Sequence, residues 1–330
     1  MFSYSIRRFI YMIITLAVVS IVAFIIIQLP PGDYLTSLVS SLRESGQEVS
    51  EAQIIALKKR YGLDLPMYQQ YFKWMWNMFH GDFGKSFQWN KPVVDLIAER
   101  LPLTVMMSLF TLIFTYVVAI PIGIYSATHQ YSIGDYIFTV AGFAGLATPN
   151  FLFALILMFL FYKYFDLSVG GLFSPQYVMA PWSLGKFVDM LKHLPIPIIV
   201  IGTAGTAGLI RVMRGCLLDE LRKQYVVTAR AKGVAERTLL FKYPVRVAIN
   251  PIISTIGWTL PGIVSGETIT AIVLSLPTTG PLLFRALMSQ DMYLAGSTVM
   301  FLSFLTVIGT FISDILLLWI DPRIRYEKGV

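Results

Sequence analysis

LPLTVMMSLFTLIFTYVVAIPIGIYSAT, residues 101–128, is a run without a single Asp, Glu, Lys or Arg. A bilayer core about 30 Å thick is crossed by about 20 apolar residues in an α-helix, so this run is long enough to span a membrane. The composition of the whole chain agrees: of 330 residues, 56% are hydrophobic and 14% charged, and the mean hydropathy is +0.67. These values predict an integral membrane protein and exclude an ordinary soluble domain of this length.

Runs of this kind recur along the chain, and they predict an all-α protein with six transmembrane helices. The runs are Phe9–Leu29, Leu101–Thr128, Tyr136–Tyr162, Leu194–Met213, 247–276 and Met292–Ile320. A further uncharged stretch, residues 167–185, is rich in Gly, Ser and Pro. We predict an irregular loop there, because lipid does not tolerate unpaired backbone groups.

The positions of Lys and Arg near the spans predict the orientation of the chain. Arg7 and Arg8 precede the first run, a basic segment (residues 222–246) lies between the fourth and fifth runs, and Arg323 and Arg325 follow the last. Six crossings place these clusters on one side, so both termini are predicted to be cytoplasmic. This bias also explains the net charge of +7 and the isoelectric point near 9.3, so no nucleic-acid partner is needed.

The runs divide the chain into four predicted parts. These are a cytoplasmic end with the first helix (1–29), an external segment with short helices (30–100), a core of five transmembrane helices with a loop at 214–246 (101–320), and a cytoplasmic tail (321–330). In the external segment, Ser50 and Gln53 predict the start of a small helix and Gly62 its end. The aromatic stretch QYFKWMWNMF (70–79) fits equally a belt at the level of the lipid headgroups and packing against the bundle.

Few residues outside the spans indicate chemistry. GDFGKSF (81–87) contains the GKS triplet of a phosphate-binding loop, but Phe79 stands where that motif requires glycine. The three histidines, His80, His129 and His193, are far apart in the chain and do not have the spacing of metal ligands. We therefore predict no cofactor, no metal and no catalytic residue in this chain.

Two carboxylates and two prolines lie within the apolar runs. A carboxylate inside a membrane costs about 2.5–3.5 kcal/mol on insertion scales and usually faces a cavity or a polar partner. Glu267 therefore either lines a substrate pathway or bonds to neighbouring backbone, and both interpretations stay open; for Asp314 we favour a structural role. Pro121 and Pro149 interrupt the second and third runs and are predicted to bend those helices.

The basic segment is predicted to contain a helix over residues 219–232. Asp219 and Glu220 suit the start of a helix, Lys232 suits its end, and Gly233 suits the residue that stops it. The apolar residues do not form one stripe, whereas a helix on a membrane surface needs one. We therefore predict that the helix inserts into a groove on a partner protein, the alternative being a helix held only by its own bundle.

The sequence TARAKGVAERTLLFKYPVRVAINP (228–251) resembles the EAA-type loop of ABC importer permeases, in the form seen in the dipeptide/oligopeptide/nickel permease family. Val227 and Thr228 occupy the first two places of the EAA triplet, and Ala229 and Gly233 are the clear matches. Further similar stretches, in order, are PPGD (30–33), RYGLDLPMYQQYFKW (60–74), GDFGKSF (81–87), PVVDLIAERLPLT (92–104), TPNF (148–151) and DILLLWIDPRIRYE (314–327). Together they cover nearly the whole chain, which is similar to the first of the two permease subunits of that family.

The resemblance implies the type I ABC importer permease fold in a prokaryotic cell membrane. It also implies four kinds of partner: a second homologous permease subunit, two cytoplasmic ATPase subunits that carry ATP and Mg, an external substrate-binding protein, and membrane lipid. Residues 219–237 would be the coupling helix, seated in a cleft of one ATPase. Its implied contact residues are Tyr225, Thr228, Ala229, Arg230, Ala231, Lys232, Gly233, Glu236 and Arg237. The candidates for the translocation pathway are Pro149, Asn150 and Glu267.

The solute stays open, because ETITAIVLSLPTTGP (267–281) is longer than the corresponding step in the family. Thr278 and Thr279 also replace residues that are usually small or apolar, so both oligopeptides and oligosaccharides fit. Two other classes compete with the importer. An ion-coupled carrier or channel would not need an ATPase, and a membrane enzyme would need Glu267 or Asp314 to be catalytic. A requirement for ATP from a separate subunit distinguishes the importer from both.

Overall fold

The computed structural model describes residues 2–28, 39, 55, 65–165, 169–256, 259 and 268–320. The regular elements in these residues are α-helices, as predicted, and one isolated antiparallel bridge joins Lys85 and Pro92. In chain order the helices are α1 Phe2–Gln28, α2 Met67–Phe79, α3 Val93–Thr128, α4 Ile133–Ala147, α5 Asn150–Phe165, α6 Pro175–Val178, α7 Leu184–His193, α8 Pro195–Leu221, α9 Gln224–Ala231, α10 Glu236–Lys242, α11 Pro244–Ala248, α12 Asn250–Ser254, α13 Thr268–Val273, α14 Thr279–Met288 and α15 Met292–Ile320.

Four of the described helices, α1, α3, α8 and α15, are long and apolar enough to cross a membrane. The bent pair formed by α4 and α5 is a fifth candidate. The fifth predicted run, 247–276, contains short helices, and its residues 257–258 and 260–267 lie outside the described part of the chain. The prediction of six spans is therefore supported for four or five elements, and the exact number stays a prediction.

The third predicted run is broken into α4 and α5, whose axes differ by 105°. The break is at Thr148 and Pro149. A residue before proline is pushed out of the helical region, and Thr148 has extended angles (φ −90°, ψ 120°). The Pro149 carbonyl then accepts from the backbone N–H groups of Leu152 and Phe153, which starts α5. Pro121, in contrast, lies within α3, which continues through it.

The contacts within the chain define two compact units, Met1–Leu103 with Thr278–Leu305, and Thr104–Pro277 with Thr306–Val330. In the first unit α2 carries the aromatic stretch. Trp74 is 2% exposed and stacks on Phe24 of α1, with 5.8 Å between ring centroids. Gly296 of α15 makes room for it, because a Cβ there would lie 2.9 Å from the indole ring. The opposite face of α2 exposes four aromatic rings, Tyr68, Phe72, Trp76 and Phe79.

Packing of the aromatic stretch is thus confirmed for one face of α2, and a headgroup belt stays a prediction for the other. The small external helix predicted between Ser50 and Gly62 lies, apart from Ile55, outside the described residues.

The GKS triplet of residues 84–86 lies in a loop fastened to the start of α15. Ser86 donates to Oδ2 of Asp291 at 2.5 Å, and the backbone N–H of Gln88 donates to the same oxygen at 3.2 Å. Asp291 in turn caps α15, since its Oδ1 accepts from the N–H of Leu294 at 3.2 Å. Burial raises the pKa of the Asp291 carboxyl. The loop therefore anchors a helix and does not have the form of a phosphate cradle.

In the second unit, α8 packs into a hydrophobic group that we name the base cluster. Its buried members are Ala119 and Ala127 of α3, Leu209, Met213 and Leu217 of α8, Val245 and Ala248 of α11, and Ile252 of α12. Gly123 allows α3 to approach α8 closely, because a Cβ at this position would lie 2.6 Å from Cβ of Met213. The base cluster therefore joins α8, which leads into the basic segment, to α11 and α12, which lie at its end and after it.

The stretch predicted as an irregular loop, 167–185, contains ordered helix in its described part. Pro175 suits the first turn of α6, where its missing N–H is not needed. Ser183 caps α7, since its hydroxyl accepts from the N–H of Lys186 at 3.2 Å. Pro181 lies between these two short helices, whereas Pro175 and Gly185 belong to their first turns.

Candidate functional site: the basic segment

The helix of the basic segment begins later than the sequence predicts. Asp219 and Glu220 belong to the last turn of α8, and α9 starts at Gln224. The chain turns at Lys223, which has extended angles (φ −71°, ψ 146°) and no side-chain cap. The prediction of one helix over 219–232 is therefore wrong in its first five residues, because α8 continues through both acidic residues.

The acidic end of α8 still stabilises the turn. The hydroxyl of Tyr225 donates to the carboxylate of Glu220. Burial, followed by this carboxylate, raises the pKa of Tyr225 well above its ordinary value, so the phenol keeps the proton that it donates. This contact joins the first turn of α9 to the last turn of α8.

The end of α9 is a Schellman motif, as the glycine predicts. Gly233 has φ +75°, and its N–H donates to the carbonyl of Arg230 at 3.0 Å. The N–H of Val234 donates to the carbonyl of Ala229 at 3.4 Å, and these two side chains pack together. The two clear matches to the EAA-type loop, Ala229 and Gly233, are thus the residues that form this helix end.

The inner face of α9 packs on α10 and gives the segment a small core of its own. Val226 is 0% exposed, Ala229 7% and Leu239 1%, and Val234 and Tyr243 pack around them. The helices α9 and α10, with the turn at residues 232–235, therefore form a hairpin, which we name the coupling hairpin after the role that the sequence predicts for it. Ala229 is buried in this core, so it supports the predicted contact surface but is not itself exposed on it.

The other predicted contact residues are exposed, but only Tyr225, Thr228, Arg230 and Ala231 belong to α9, and the rest lie in the turn or in α10. Exposed members of the hairpin are Tyr225, Val227, Thr228, Arg230, Ala231, Lys232, Gly233, Glu236 and Arg237. Val227, next to the buried Val226, is 46% exposed. The scattered apolar residues are thus explained, because the helix has apolar contacts on one side and apolar surface on the other.

An ion pair closes the tip of the coupling hairpin. Arg230 donates from Nε to Oε1 of Glu236 at 2.6 Å and from Nη2 to Oε2 at 3.1 Å. The hydrogen bonds from Arg230 lower the pKa of Glu236, which therefore stays ionised at neutral pH. Both side chains are mostly exposed, so the pair orients the tip more than it stabilises the fold.

A second ion pair, which the sequence did not indicate, connects α8 to α4. Arg214 donates from Nε to Oδ1 of Asp135 at 3.0 Å and from Nη2 to Oδ2 at 2.9 Å. Asp135 is 3% exposed and also accepts from the N–H of Tyr131 at 3.0 Å, while Ser132 caps α4 by accepting from the N–H of Asp135. We name this arrangement the α4–α8 clip.

Only half of the α4–α8 clip has a local signal in the sequence. The spacing of Ser132 and Asp135 is that of a capping pair just before an uncharged run. Arg214, however, is 79 residues further along the chain.

The structure tests the predicted pathway residues only in part. Pro149 and Asn150 lie at the break between α4 and α5, and α5 packs against α13. Glu267 precedes α13 but lies outside the described residues, as does the side chain of Asp314. The described residues contain no group of three or more His, Cys, Asp or Glu side chains arranged to hold a metal ion.

Residues 119–326 match a family described as "Binding-protein-dependent transport system inner membrane component", and residues 1–108 match its N-terminal companion, "Binding-prot-dependent transport system membrane comp, N-term". The chain is 36% identical over 328 residues to the oligopeptide transport system permease protein AppB of Bacillus subtilis, covering 99% of this chain and 100% of the relative. It is 30% identical over 329 residues to the oligopeptide transport system permease protein OppB of Haemophilus influenzae, with 99% and 100% covered. It is also 30% identical over 360 residues to the peptidoglycan transport system permease protein YejB of Agrobacterium fabrum, with 99% of both covered.

The α4–α8 clip generates a stability prediction. Arg214→Gln leaves a buried carboxylate without its cation, which should lower the free energy of unfolding by about 3–5 kcal/mol. Asp135→Asn/Arg214→Gln should recover part of that loss, since no unpaired charge remains buried. Thermal unfolding of the purified protein measures both. Arg222→Gln, which removes an exposed arginine at the end of the same helix, is the matched control and should have little effect. Equal losses for Arg214→Gln and Arg222→Gln would contradict the role of the clip.

Proposed function

The chain belongs to the family of binding-protein-dependent transport system inner membrane components, and from this membership we propose that it forms half of the translocation pathway of an ATP-driven importer. It is a permease subunit, as are its relatives from Bacillus subtilis and Haemophilus influenzae. The observation that carries the mechanism is the coupling hairpin, which has a core of its own and exposes Tyr225 and Val227 among polar and basic residues. That exposed surface suits a groove on a partner protein.

The proposed partners supply what the chain lacks. A second, similar permease subunit forms the other half of the pathway, two ATPase subunits bind ATP and Mg in the cytoplasm, and an external protein binds the solute. Both termini and the coupling hairpin then lie on the cytoplasmic side of a prokaryotic cell membrane, as the positions of Lys and Arg favour.

The coupling hairpin is proposed to seat α9 in a cleft of one ATPase. When ATP draws the ATPase subunits together, α9 moves with its cleft, and the motion passes directly into α8, because only Arg222 and Lys223 separate the two helices. The α4–α8 clip extends that motion to α4, since Arg214 is bonded to the first turn of that helix. The base cluster provides the packing against which α8 turns.

The proposed solutes are oligopeptides or molecules of similar size. The names of the relatives include oligopeptide, dipeptide and peptidoglycan transport, and the extended stretch 267–281 leaves oligosaccharides as a further class. In an importer of this kind the external protein selects the solute, so the sequence of this subunit contains little information on it.

Reconstitution of the complete importer tests the proposed function. We expect uptake into vesicles to require ATP, both permease subunits, the ATPases and the external binding protein. Mass spectrometry of the ligand that copurifies with the binding protein should then identify a peptide or an oligosaccharide. Uptake by the permease alone, driven by an ion gradient without ATP, would instead establish the carrier interpretation.

Gly233 is the residue on which the end of α9 depends. Its φ of +75° is strained for a branched side chain, although a Cβ added at this position would have no other atom within 4 Å. Gly233→Val should disfavour the native helix end by about 1–2 kcal/mol, which lowers the ratio of native to altered helix ends by a factor of about 5–30. We expect uptake to fall by up to that factor, with ATPase subunits still bound.

Two matched variants control this experiment. Gly233→Asn should retain most activity, since asparagine adopts the left-handed conformation more readily. Gly215→Ala, where the helix is regular and space is also open, should leave uptake unchanged. Wild-type uptake by Gly233→Val would exclude the coupling hairpin as the site of coupling.

Val226 and Val227 distinguish the hairpin's own fold from its contact with a partner. Val226→Asn places an amide in the small core and should lower the free energy of unfolding by about 1–3 kcal/mol. Val227→Asn changes exposed surface and should leave the unfolding temperature unchanged while weakening copurification of the ATPase. Unfolding temperatures and pull-down yields measure the two effects. If Val227→Asn left ATPase binding intact, the exposed face of α9 would not be the contact.

A further inference from the structure

Helix α7 carries an apolar stripe that faces away from the protein. Leu184, Phe187, Val188 and Leu191 are spaced as the residues of one helix face, at intervals of three, four and seven. All four are exposed, from 39% for Leu191 to 80% for Leu184. We name this set the α7 stripe. Its exposure is the reverse of what a soluble helix shows, where such a stripe packs on the core.

The other side of α7 is fastened to the protein by polar contacts. Lys186 is 7% exposed, and its ammonium donates to the carbonyl of Ala180 at 2.6 Å and lies 4.9 Å from the centre of the Phe173 ring. The two carboxylate oxygens of Asp189 accept from the N–H and the hydroxyl of Ser174 at 2.7 and 2.6 Å. These contacts fix the rotation of α7, so the stripe cannot turn inward without breaking them.

The position of α7 places the stripe beside the membrane. Only Leu194 separates its last residue from Pro195, where the candidate span α8 begins. At 1.5 Å per residue, α7 is about 15 Å long, and its stripe therefore lies within that distance of the end of α8. The coupling hairpin follows the other end of α8, about 40 Å away along the axis. Two further exposed apolar residues precede α7, Met179 at 94% and Trp182 at 60%.

We propose that α7 is an interfacial helix whose stripe binds the headgroup and acyl-chain boundary of the outer leaflet. A single clean stripe, a nearby tryptophan and an exposed lysine at position 192 are the features that such helices share. The stripe is also continuous along the chain with α8, a candidate membrane span. The choice of leaflet rests on the proposed function, since it follows from placing the coupling hairpin in the cytoplasm. Contact with lipid itself does not depend on transport.

Depth-dependent fluorescence quenching tests this proposal. The chain has one cysteine, Cys216, so a Cys216→Ser background allows single labels at Leu184→Cys, Leu191→Cys and Lys192→Cys. Each variant is assembled as the complete importer in vesicles of phosphatidylethanolamine and phosphatidylglycerol and labelled with an environment-sensitive dye. Labels at 184 and 191 should lose fluorescence to a lipid that carries a nitroxide near its headgroup, and should resist iodide in water. The label at 192, at the polar edge of the stripe, should be quenched more by iodide.

Two results would overturn the proposal. Stronger quenching of labels 184 and 191 by iodide than by the lipid nitroxide would show that the stripe faces water. Protection from both quenchers that depends on the second permease subunit or on the binding protein would show that a protein covers it. A further variant, Phe187→Glu in the Leu184→Cys background, should shift the label toward iodide, whereas Phe187→Trp should not. Because quenching is measured without ATP, its result does not depend on whether the importer takes up a solute.

Discussion

The bidentate bond between Arg214 and Asp135 determines how the second unit can work. Taking a carboxylate out of water is expensive unless it is paired and its remaining oxygen positions are bonded, and Asp135 meets both conditions. The pair leaves α8 little freedom to slide along α4, because the planar guanidinium and the carboxylate match in only one register. On another side of α8, Met213 packs against the backbone of α3 at Gly123. With a polar bond at Arg214 and tight packing at Met213, α8 has the rigidity that a lever needs, and α9 is attached to its end.

The coupling hairpin is attached to α8, but its shape comes from a core of its own. Val226, Ala229 and Leu239 form a core within the segment, and the Schellman end at Gly233 turns the chain back so that α10 covers α9. A hairpin with its own core would keep its outer surface if the helices attached to it changed their tilt. The proposed transmission of force from an ATPase requires such a constant contact surface.

The sequence predicted the parts of this structure that depend on local chemistry. Uncharged runs indicated the long helices, Pro149 indicated a bend in the third run, and Gly233 indicated the end of α9. The predicted start of α9 was wrong because Asp219 and Glu220, which favour a first turn, lie in the last turn of α8, where Glu220 accepts a hydrogen bond from Tyr225. Lys223 also carries no signal for extended backbone. The α4–α8 clip was missed because its two residues are 79 apart in the chain. The stripe of α7 was missed because the glycines and prolines before it concealed a short helix.

The two short helices at opposite ends of α8 show how apolar patterning separates a lipid contact from a protein contact. In α7 the exposed apolar residues occupy one face, and Lys186 and Asp189 hold the opposite face to the protein. A single apolar stripe of this kind suits the surface of a membrane. In α9 the apolar residues lie on both sides, Val226 inside and Val227 outside, with an ion pair at the tip that sets direction. Lipid has no preference for such a mixed surface, whereas a shaped protein cleft does. Two short helices, of 10 and 8 residues, thus suit two different partners, because what matters is the angle over which their apolar residues are spread.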